Sequence, residues 1–263
     1  MNMTQIAIAA AVVAGSGLLL GILLGIAGKL LAVAVNEKEV AVREFLPGAN
    51  CGGCGYAGCD AYAEAVAAGN APATLCSSVN SEDVKKIGEI LGQDVGEVVR
   101  RVAVVRCSGS YDHTGVKYEY EGIETCEAAA MAPGGGPLKC QYGCLGYGSC
   151  AKVCPQQCIE IVNGVAVVDR DRCIACGKCV DACPKNLIMI QPADQPYTVR
   201  CSSHDKGKAV KAVCDIGCIG CGICAKNCPV NAIQMDNDLA RIDPDICISC
   251  GVCAEKCPVK VIY

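Results

Sequence analysis

The chain has 263 residues and a formal net charge of −4; 25 residues are cysteine, one is phenylalanine and none is tryptophan. A core of large aromatic side chains is therefore excluded, and cysteine enrichment on this scale indicates either a disulfide framework or thiolate-bound metal. The odd number of cysteines excludes complete pairing into disulfides. The negative charge, without a run of lysine or arginine, argues against nucleic acid as a general partner.

The N-terminal segment carries no charge over residues 4–28, which is long enough for a helix to cross a hydrocarbon core of about 30 Å. A cleaved signal peptide is the alternative, but it would have a basic region before a shorter apolar stretch, and residues 1–5 contain no basic side chain. Lys29, Lys38 and Arg43 follow the span. The positive-inside rule therefore predicts a single span of the inner membrane, with the N-terminus outside and the rest in the cytoplasm. Free thiolates persist in that reducing compartment, where disulfides are rare.

A glycine-rich cysteine motif, CGGCGYAGC, occupies residues 51–59 and is followed by Cys76. Glycines between the thiols allow the backbone to fold around an inorganic core, with its N–H groups directed toward sulfur. We therefore expect a first [4Fe–4S] cluster on Cys51, Cys54, Cys59 and Cys76. Four cysteines also satisfy a zinc ion, so the motif alone leaves zinc as the alternative.

Three copies of the pattern CxxCxxCxxxCP begin at Cys173, Cys218 and Cys247. The pattern is typical of bacterial two-cluster ferredoxins, in which three cysteines bind one cluster and the fourth binds its neighbour. A degenerate copy begins at Cys140, with a CxxxC step and a five-residue gap before Cys150. It has the same CxxxCP ending as the other copies, so we assign it to the same family of motifs.

The first and second copies along the chain are separated by the same number of residues as the third and fourth, counted from Cys154 to Cys173 and from Cys228 to Cys247. This equality predicts two ferredoxin modules, at residues 138–190 and 216–263, each with two short strands joined by a turn between its cysteine motifs. Cross-ligation between the motifs then predicts clusters 2 to 5. Their expected ligands are, in turn, Cys140, Cys144, Cys150 and Cys183; Cys154, Cys173, Cys176 and Cys179; Cys218, Cys221, Cys224 and Cys257; and Cys228, Cys247, Cys250 and Cys253.

Four of the remaining five cysteines belong to a second pattern. The tripeptide Val-Arg-Cys ends at Cys107 and again at Cys201, and a further cysteine follows each copy, Cys126 or Cys214. We expect these four thiols to bind a sixth [4Fe–4S] cluster; the alternative is that they are reduced cysteines packed as small hydrophobic side chains. The fifth, Cys158, is expected in the core.

The predicted fold class is α+β, built from small modules nucleated by five or six iron–sulfur clusters. No GxGxxG motif follows a predicted strand, so no nicotinamide or flavin site is expected in this chain. Residues 81–105 have an apolar face at helical spacing and are expected to form one or two helices. The expected domains are a transmembrane anchor at 1–35, a helical [4Fe–4S] domain at 36–82, a connecting domain with the first Val-Arg-Cys segment at 83–137, ferredoxin module 1 at 138–190, a connector with the second segment at 191–215, and ferredoxin module 2 at 216–263.

These features together resemble the B subunit of the Rnf complex over nearly the whole chain: one span, the glycine-rich quartet behind it, Val-Arg-Cys segments and ferredoxin repeats. The resemblance implies a membrane complex that oxidises reduced ferredoxin, reduces NAD through other subunits and translocates sodium ions or protons; whether flavodoxin also serves as donor is left open by the sequence. It implies that this subunit receives the electrons and is an enzyme only as part of the complex. The chain departs from the simplest members of the family in its second ferredoxin module and in the irregular copy at Cys140.

Two other classes of protein share parts of this pattern. A membrane-anchored polyferredoxin of a hydrogenase, a formate dehydrogenase or a redox-sensor reductase would carry the same motifs, and its co-purified partners would distinguish it. A zinc-bound scaffold without a redox role would lack the brown colour of an iron–sulfur protein. In the iron–sulfur interpretation, the chain transfers electrons and has no other substrate-transforming site.

Overall fold

The computed structural model describes residues 3–30, 36–96 and 98–263, and the predicted end of the anchor at residue 35 lies outside them. The helices are α1 (Met3–Leu30), α2 (Glu37–Glu44), α3 (Cys59–Ala67), α4 (Ser81–Leu91), α5 (Cys126–Ala130), α6 (Ser149–Lys152), α7 (Lys178–Asp181), α8 (Lys208–Val213), α9 (Ile223–Lys226) and α10 (Val252–Lys256). The strands are β1 (Arg101–Val105), β2 (Ile159–Val162), β3 (Val165–Val168), β4 (Ile188–Pro192), β5 (Ile233–Asp236) and β6 (Leu239–Ile242).

Helix α1 is apolar on all sides, and its stretch Ala11–Lys29 is not buried against the rest of the protein. These 19 residues span roughly 28 Å at the rise of an α-helix, close to the thickness of a hydrocarbon core. Length and composition therefore suit a membrane-spanning helix. Gly17, Gly21 and Gly25 lie on one side of α1 with open space around them, where the backbone of another helix can approach closely.

Helices α2, α3 and α4 form an N-terminal helical unit around a small core of their own. Val42, Tyr62 and Ile87 are almost completely buried there, and Cys59 and Cys76 belong to the same core. The glycine-rich motif leads directly into α3, whose first residue is Cys59. The thiols of this unit are thus fixed against a packed helical core rather than on a free loop.

The remainder of the chain contains two repeats with the same backbone course, residues 140–192 and 214–263, which we call the first and second repeat. Hairpin β2–β3 in the first repeat corresponds to hairpin β5–β6 in the second, and both are antiparallel with four residue pairs. Residues in equivalent positions lie 74 positions apart in sequence. Ala175 and Ser249, for example, both have a left-handed backbone, with φ of 52° and 55°.

A strand that precedes each repeat pairs with the end of that repeat. Strand β1 pairs antiparallel with β4 along its whole length, and Val199 forms an antiparallel bridge with Ile262. Residues 101–105 were expected in a helix, and this expectation is wrong because their β-branched valines pair with β4 and pack in the core of the first repeat. The first Val-Arg-Cys segment therefore follows strand β1 and the second contains the bridge at Val199 in the equivalent place. Both lie outside the ferredoxin module boundaries predicted from the sequence.

The N-terminal helical unit docks on the cysteine loop of the first repeat. The hydroxyl of Ser78 donates a hydrogen bond to the carbonyl oxygen of Ile174 at 2.8 Å. At Gly53 an added Cβ atom would lie 2.9 Å from the carbonyl oxygen of Cys176, so only glycine allows this approach. The glycine-rich motif is thereby held against the loop that carries the third predicted quartet.

Gly53→Ala is expected to loosen this docking, because the new methyl group meets the backbone of Cys176 and not a movable side chain. Amide hydrogen exchange at residues 76–78 and 174–176 should accelerate by about fivefold, which corresponds to roughly 1 kcal/mol of overpacking. Gly96→Ala is the control, since a Cβ atom there meets nothing within 4 Å. Unchanged exchange in Gly53→Ala would show that the docking does not depend on this contact.

Candidate metal-cluster sites

All 25 cysteines are free thiols. Among the described residues, no three His, Cys, Asp or Glu side chains lie close enough together to hold a single metal ion. Four cavities are nevertheless each lined by four thiols. A [4Fe–4S] cluster needs four thiolates around one inorganic core.

Two cavities in the second repeat are each lined by a complete predicted quartet. The quartets are Cys218, Cys221, Cys224 and Cys257 in one cavity, and Cys228, Cys247, Cys250 and Cys253 in the other. The rest of both linings consists mostly of apolar side chains and backbone, so each group of thiols lies in a small apolar pocket.

A Cys-Pro step directs the last cysteine of each motif to the other cavity. Helix α10 ends at Lys256, and Cys257 has an extended backbone because proline disfavours a helical conformation in the residue before it. The thiol of Cys257 therefore leaves the cavity of its own motif and joins Cys218 in the neighbouring one. This is the crossing that the ferredoxin pattern predicts.

Backbone N–H groups are directed at sulfur in equivalent places of the two repeats. The N–H of Ala175 donates to Sγ of Cys173, and the N–H of Ser249 donates to Sγ of Cys247, both at 3.4 Å. Both donors adopt the left-handed backbone described above. Hydrogen bonds of this kind stabilise a thiolate and tune the potential of a bound cluster.

The first predicted quartet lies at the edge of the N-terminal helical unit and faces the first repeat. Burial raises the pKa of Cys76, and the nearby thiols of Cys54 and Cys51 raise it further. Burial also raises the pKa of Cys176, with an added contribution from Cys51 across the docking contact. The first and third predicted groups of thiols are therefore immediate neighbours.

The third predicted quartet lies within the first repeat. Burial raises the pKa of Cys179 to about 12, and the thiols of Cys173, Cys176 and Cys154 also raise it. Cys158 belongs to the core of this repeat, with its Sγ 3.5 Å from Sγ of Cys154. Its counterpart 74 positions later is a fully buried alanine, so the position suits a small core side chain.

Two further cavities differ from the predicted grouping by the exchange of one cysteine. The inner cavity of the first repeat is lined by Cys126, Cys144, Cys150 and Cys183. The bridging cavity, between the two repeats, is lined by Cys107, Cys140, Cys201 and Cys214. The sequence-based grouping put Cys140 with the first set and Cys126 with the second, and the structure places them the other way round.

The constant offset between the repeats explains this exchange. Cys140 corresponds to Cys214, and the position of Cys221 is occupied by Tyr147 in the first repeat. The inner cavity thus lacks the second cysteine of its own motif, and Cys126 of helix α5 lines it as the fourth cysteine. The 74-residue offset was the signal in the sequence that pairs Cys140 with Cys214 and shows that the first repeat lacks a cysteine at Tyr147.

Local hydrogen bonds hold helix α5 over the inner cavity. The hydroxyl of Thr125 caps the helix by accepting a hydrogen bond from the N–H of Ala128 at 3.3 Å. The hydroxyl of Ser149 accepts a hydrogen bond from the N–H of Cys126 at 3.0 Å and donates one to the carboxylate of Glu127 at 2.7 Å. The hydrogen bond from Ser149 lowers the pKa of Glu127. The backbone N–H of Cys126 is therefore held by Ser149, and the helix that begins at Cys126 is capped by Thr125.

Comparison with family models gives three matches. They are "Putative Fe-S cluster" at residues 46–78, "4Fe-4S binding domain" at residues 166–189 and "4Fe-4S dicluster domain" at residues 217–261. The matches cover the glycine-rich quartet, part of the first repeat and nearly all of the second. Iron–sulfur clusters are thus the cofactors of the chain, as its motifs predict.

Three relatives match most of the chain. It is 43% identical over 236 residues to the B subunit of the ion-translocating oxidoreductase complex of Methanosarcina acetivorans, which covers 89% of each protein. It is 40% identical to the B subunit of the Na(+)-translocating ferredoxin:NAD(+) oxidoreductase complex of Acetobacterium woodii, over 87% of this chain and 69% of that protein. The corresponding protein of the proton-translocating complex of Clostridium ljungdahlii is 43% identical over 88% of this chain and 81% of its own length. The chain therefore belongs to the family of B subunits of ion-translocating oxidoreductase complexes, the Rnf family that its motifs resemble.

Proposed function

We propose that this chain is the electron-transfer subunit of a membrane complex, where it accepts electrons from reduced ferredoxin and passes them through [4Fe–4S] clusters to partner subunits. In the complex, this transfer is coupled to NAD reduction and to translocation of sodium ions or protons. The observation that carries the proposal is the grouping of free cysteines in fours around cavities, in the pattern that two-cluster ferredoxins use. Family membership supplies the identity of the complex.

The two repeats are proposed to be two-cluster ferredoxin modules, and the N-terminal helical unit to hold one further cluster. When bound, a [4Fe–4S] cluster accepts and releases one electron at a time, at a potential set by burial, hydrogen bonds to sulfur and nearby charge. The cysteines hold the cores, the N–H groups directed at sulfur stabilise the thiolate form, and the apolar linings limit access of water. The proposed ligand groups outside the inner and bridging cavities are Cys51, Cys54, Cys59 and Cys76; Cys154, Cys173, Cys176 and Cys179; Cys218, Cys221, Cys224 and Cys257; and Cys228, Cys247, Cys250 and Cys253.

Helix α1 is proposed to anchor these units in the inner membrane, with the N-terminus outside and the cluster-binding units in the cytoplasm. Support comes from Lys29 at the end of α1 and from Arg43 in the last turn of α2, since basic residues favour the cytoplasmic side. Helix α2 begins at Glu37, only a few residues after the span. The N-terminal helical unit therefore has to lie close to the membrane surface.

Metal analysis of the full-length chain, purified in detergent without oxygen, tests the iron–sulfur proposal. We expect at least about 20 irons and an equal amount of sulfide per chain, from five or more clusters of four irons each. The protein should be brown, and dithionite should bleach its visible absorbance. Stoichiometric zinc in place of iron would contradict the proposal, whereas iron with hydrogenase or formate dehydrogenase subunits as co-purified partners would favour the alternative polyferredoxin.

The proposed donor can be tested at a basic patch around helix α8. Lys208 and Lys211 are exposed on this helix, and exposed Lys206 precedes it and pairs with Asp238 at 3.1 Å. Ferredoxins are acidic, so positive charge at this place would attract them at low salt. The patch lies beside the bridging cavity, because Val210 of the same helix lines that cavity.

The double variant Lys208→Glu, Lys211→Glu is expected to slow reduction of the chain by reduced ferredoxin at low salt by at least about threefold. Stopped-flow absorbance measures the rate, and the difference should disappear at about 0.5 M salt, where such attraction is screened. Lys85→Glu, on the exposed side of α4 in the N-terminal helical unit, is the matched control. Equal rates in all three proteins would exclude the patch as the docking site.

A further inference from the structure

We propose that the bridging cavity binds a [4Fe–4S] cluster that lies between the two repeats, and that the inner cavity binds another through its own four cysteines. The inference rests on the proposed iron–sulfur function and deepens it by assigning ligands and a place to the sixth cluster. The ligands of the bridging cluster are Cys107, Cys140, Cys201 and Cys214, which all line one cavity.

The four thiols of the bridging cavity come in two equivalent pairs. Cys107 lies two residues after the end of strand β1, and Cys201 lies two residues after the bridge residue Val199, so each follows a segment that pairs with the end of a repeat. Cys140 and Cys214 each stand four positions before the first cysteine of the loop in their repeat. Each repeat therefore contributes the same two positions to one shared cavity. Packing of thiols as small hydrophobic side chains gives no reason for this equivalence.

The two Val-Arg-Cys segments hold the halves of the cavity together. A guanidinium N–H of Arg200 donates to the carbonyl oxygen of Val105 at 3.0 Å, and the hydroxyl of Ser202 donates to the carbonyl oxygen of Arg106 at 3.0 Å. These contacts join the ends of the two equivalent strands across the boundary between the repeats. The thiols that follow them are thus fixed relative to one another.

Residues 108–139, which have a shorter counterpart in the second repeat, close the cavity from the side. Thr114 forms a β-bridge with Cys214, and Nδ1 of His113 lies 2.8 Å from a carboxylate oxygen of Asp215. An added Cβ atom at Gly109 would lie 3.5 Å from Sγ of Cys214 and 3.8 Å from Sγ of Cys107. The backbone at Gly109 therefore runs directly over these two sulfurs and covers the site.

The environment of the bridging cavity suits a negatively charged occupant. Arg200 lines it, and within the described part of the chain the buried Nε of this side chain has no hydrogen-bond partner. A guanidinium stays charged in proteins. A half-buried cation beside neutral thiols is costly, whereas beside four thiolates bound to iron its charge is compensated.

The cavity also connects the groups of thiols on its two sides. The N–H of Cys144, in the inner cavity, donates to Sγ of Cys107 at 3.4 Å. On the other side, Cys201 packs against the core of the second repeat, which contains Cys218. The bridging site thus adjoins the inner site on one side and the core that holds the first quartet of the second repeat on the other. The bridging site makes the two repeats one continuous row of sites.

Iron content of full-length variants tests the assignment. The unaltered chain should contain about 24 irons, from six clusters. Cys140→Ala and Cys201→Ala should each lose up to about four irons, and the double variant should lose no more than the single ones. Cys126→Ala combined with Cys201→Ala should lose iron from two separate clusters, about eight in all. Cys158→Ala is the control and should keep all of its iron.

A second readout is independent of the iron count. Electron paramagnetic resonance of the dithionite-reduced chain should show one spin fewer in Cys140→Ala and Cys201→Ala, with the same signal missing in both, and a different signal missing in Cys126→Ala. Shared loss by Cys126→Ala and Cys201→Ala would overturn the assignment in favour of the predicted grouping. About 20 irons in the unaltered chain, unchanged by Cys201→Ala, would overturn the bridging cluster while leaving the proposed function intact. Absence of iron altogether would overturn both.

Discussion

The rest of this fold depends on the convergence of four thiols at each site. Helices α6, α7 and α9 have only four residues each, which is far below the length at which a helix is stable alone. The strands of the hairpins are equally short. Metal ligation therefore has to supply much of the folding free energy of the repeats, and loss of one ligand affects structure as well as redox chemistry.

The segment between β1 and the first repeat compensates for a cysteine that is missing from the motif of that repeat. Tyr147 stands where the second repeat has Cys221, and its ring packs against Tyr120 of the inserted segment, with 5.6 Å between ring centroids. The same segment carries Cys126 into the inner cavity. The tyrosine thus anchors the inserted segment, and the segment supplies the fourth cysteine that lines the inner cavity.

The sequence was sufficient to predict the hairpins β2–β3 and β5–β6, and the cysteine spacing groups the same cysteines that line the two cavities of the second repeat, because these contacts are set by a local motif. Pairing of β1 with β4 joins residues more than eighty positions apart, and no local preference reports such a contact. The position of Cys126 at the inner cavity was not predicted, for a related reason. The cysteines that follow each Val-Arg-Cys segment look equivalent in order, but Cys126 belongs to an insertion that the second repeat lacks, and only alignment of the two repeats separates them.

The Val-Arg-Cys tripeptide recurs because each of its side chains has a separate task at the boundary between the repeats. Val105 and Val199 are buried in the cores of their own repeats. Arg106 donates to the carbonyl oxygen of Asn186 at 2.9 Å within the first repeat, whereas Arg200 reaches across to the other repeat. The cysteines then face the shared cavity. Burial of the valine, hydrogen bonding by the arginine and placement of the cysteine at the shared cavity leave little freedom to vary these three consecutive residues, and this explains why the same tripeptide occurs in both copies.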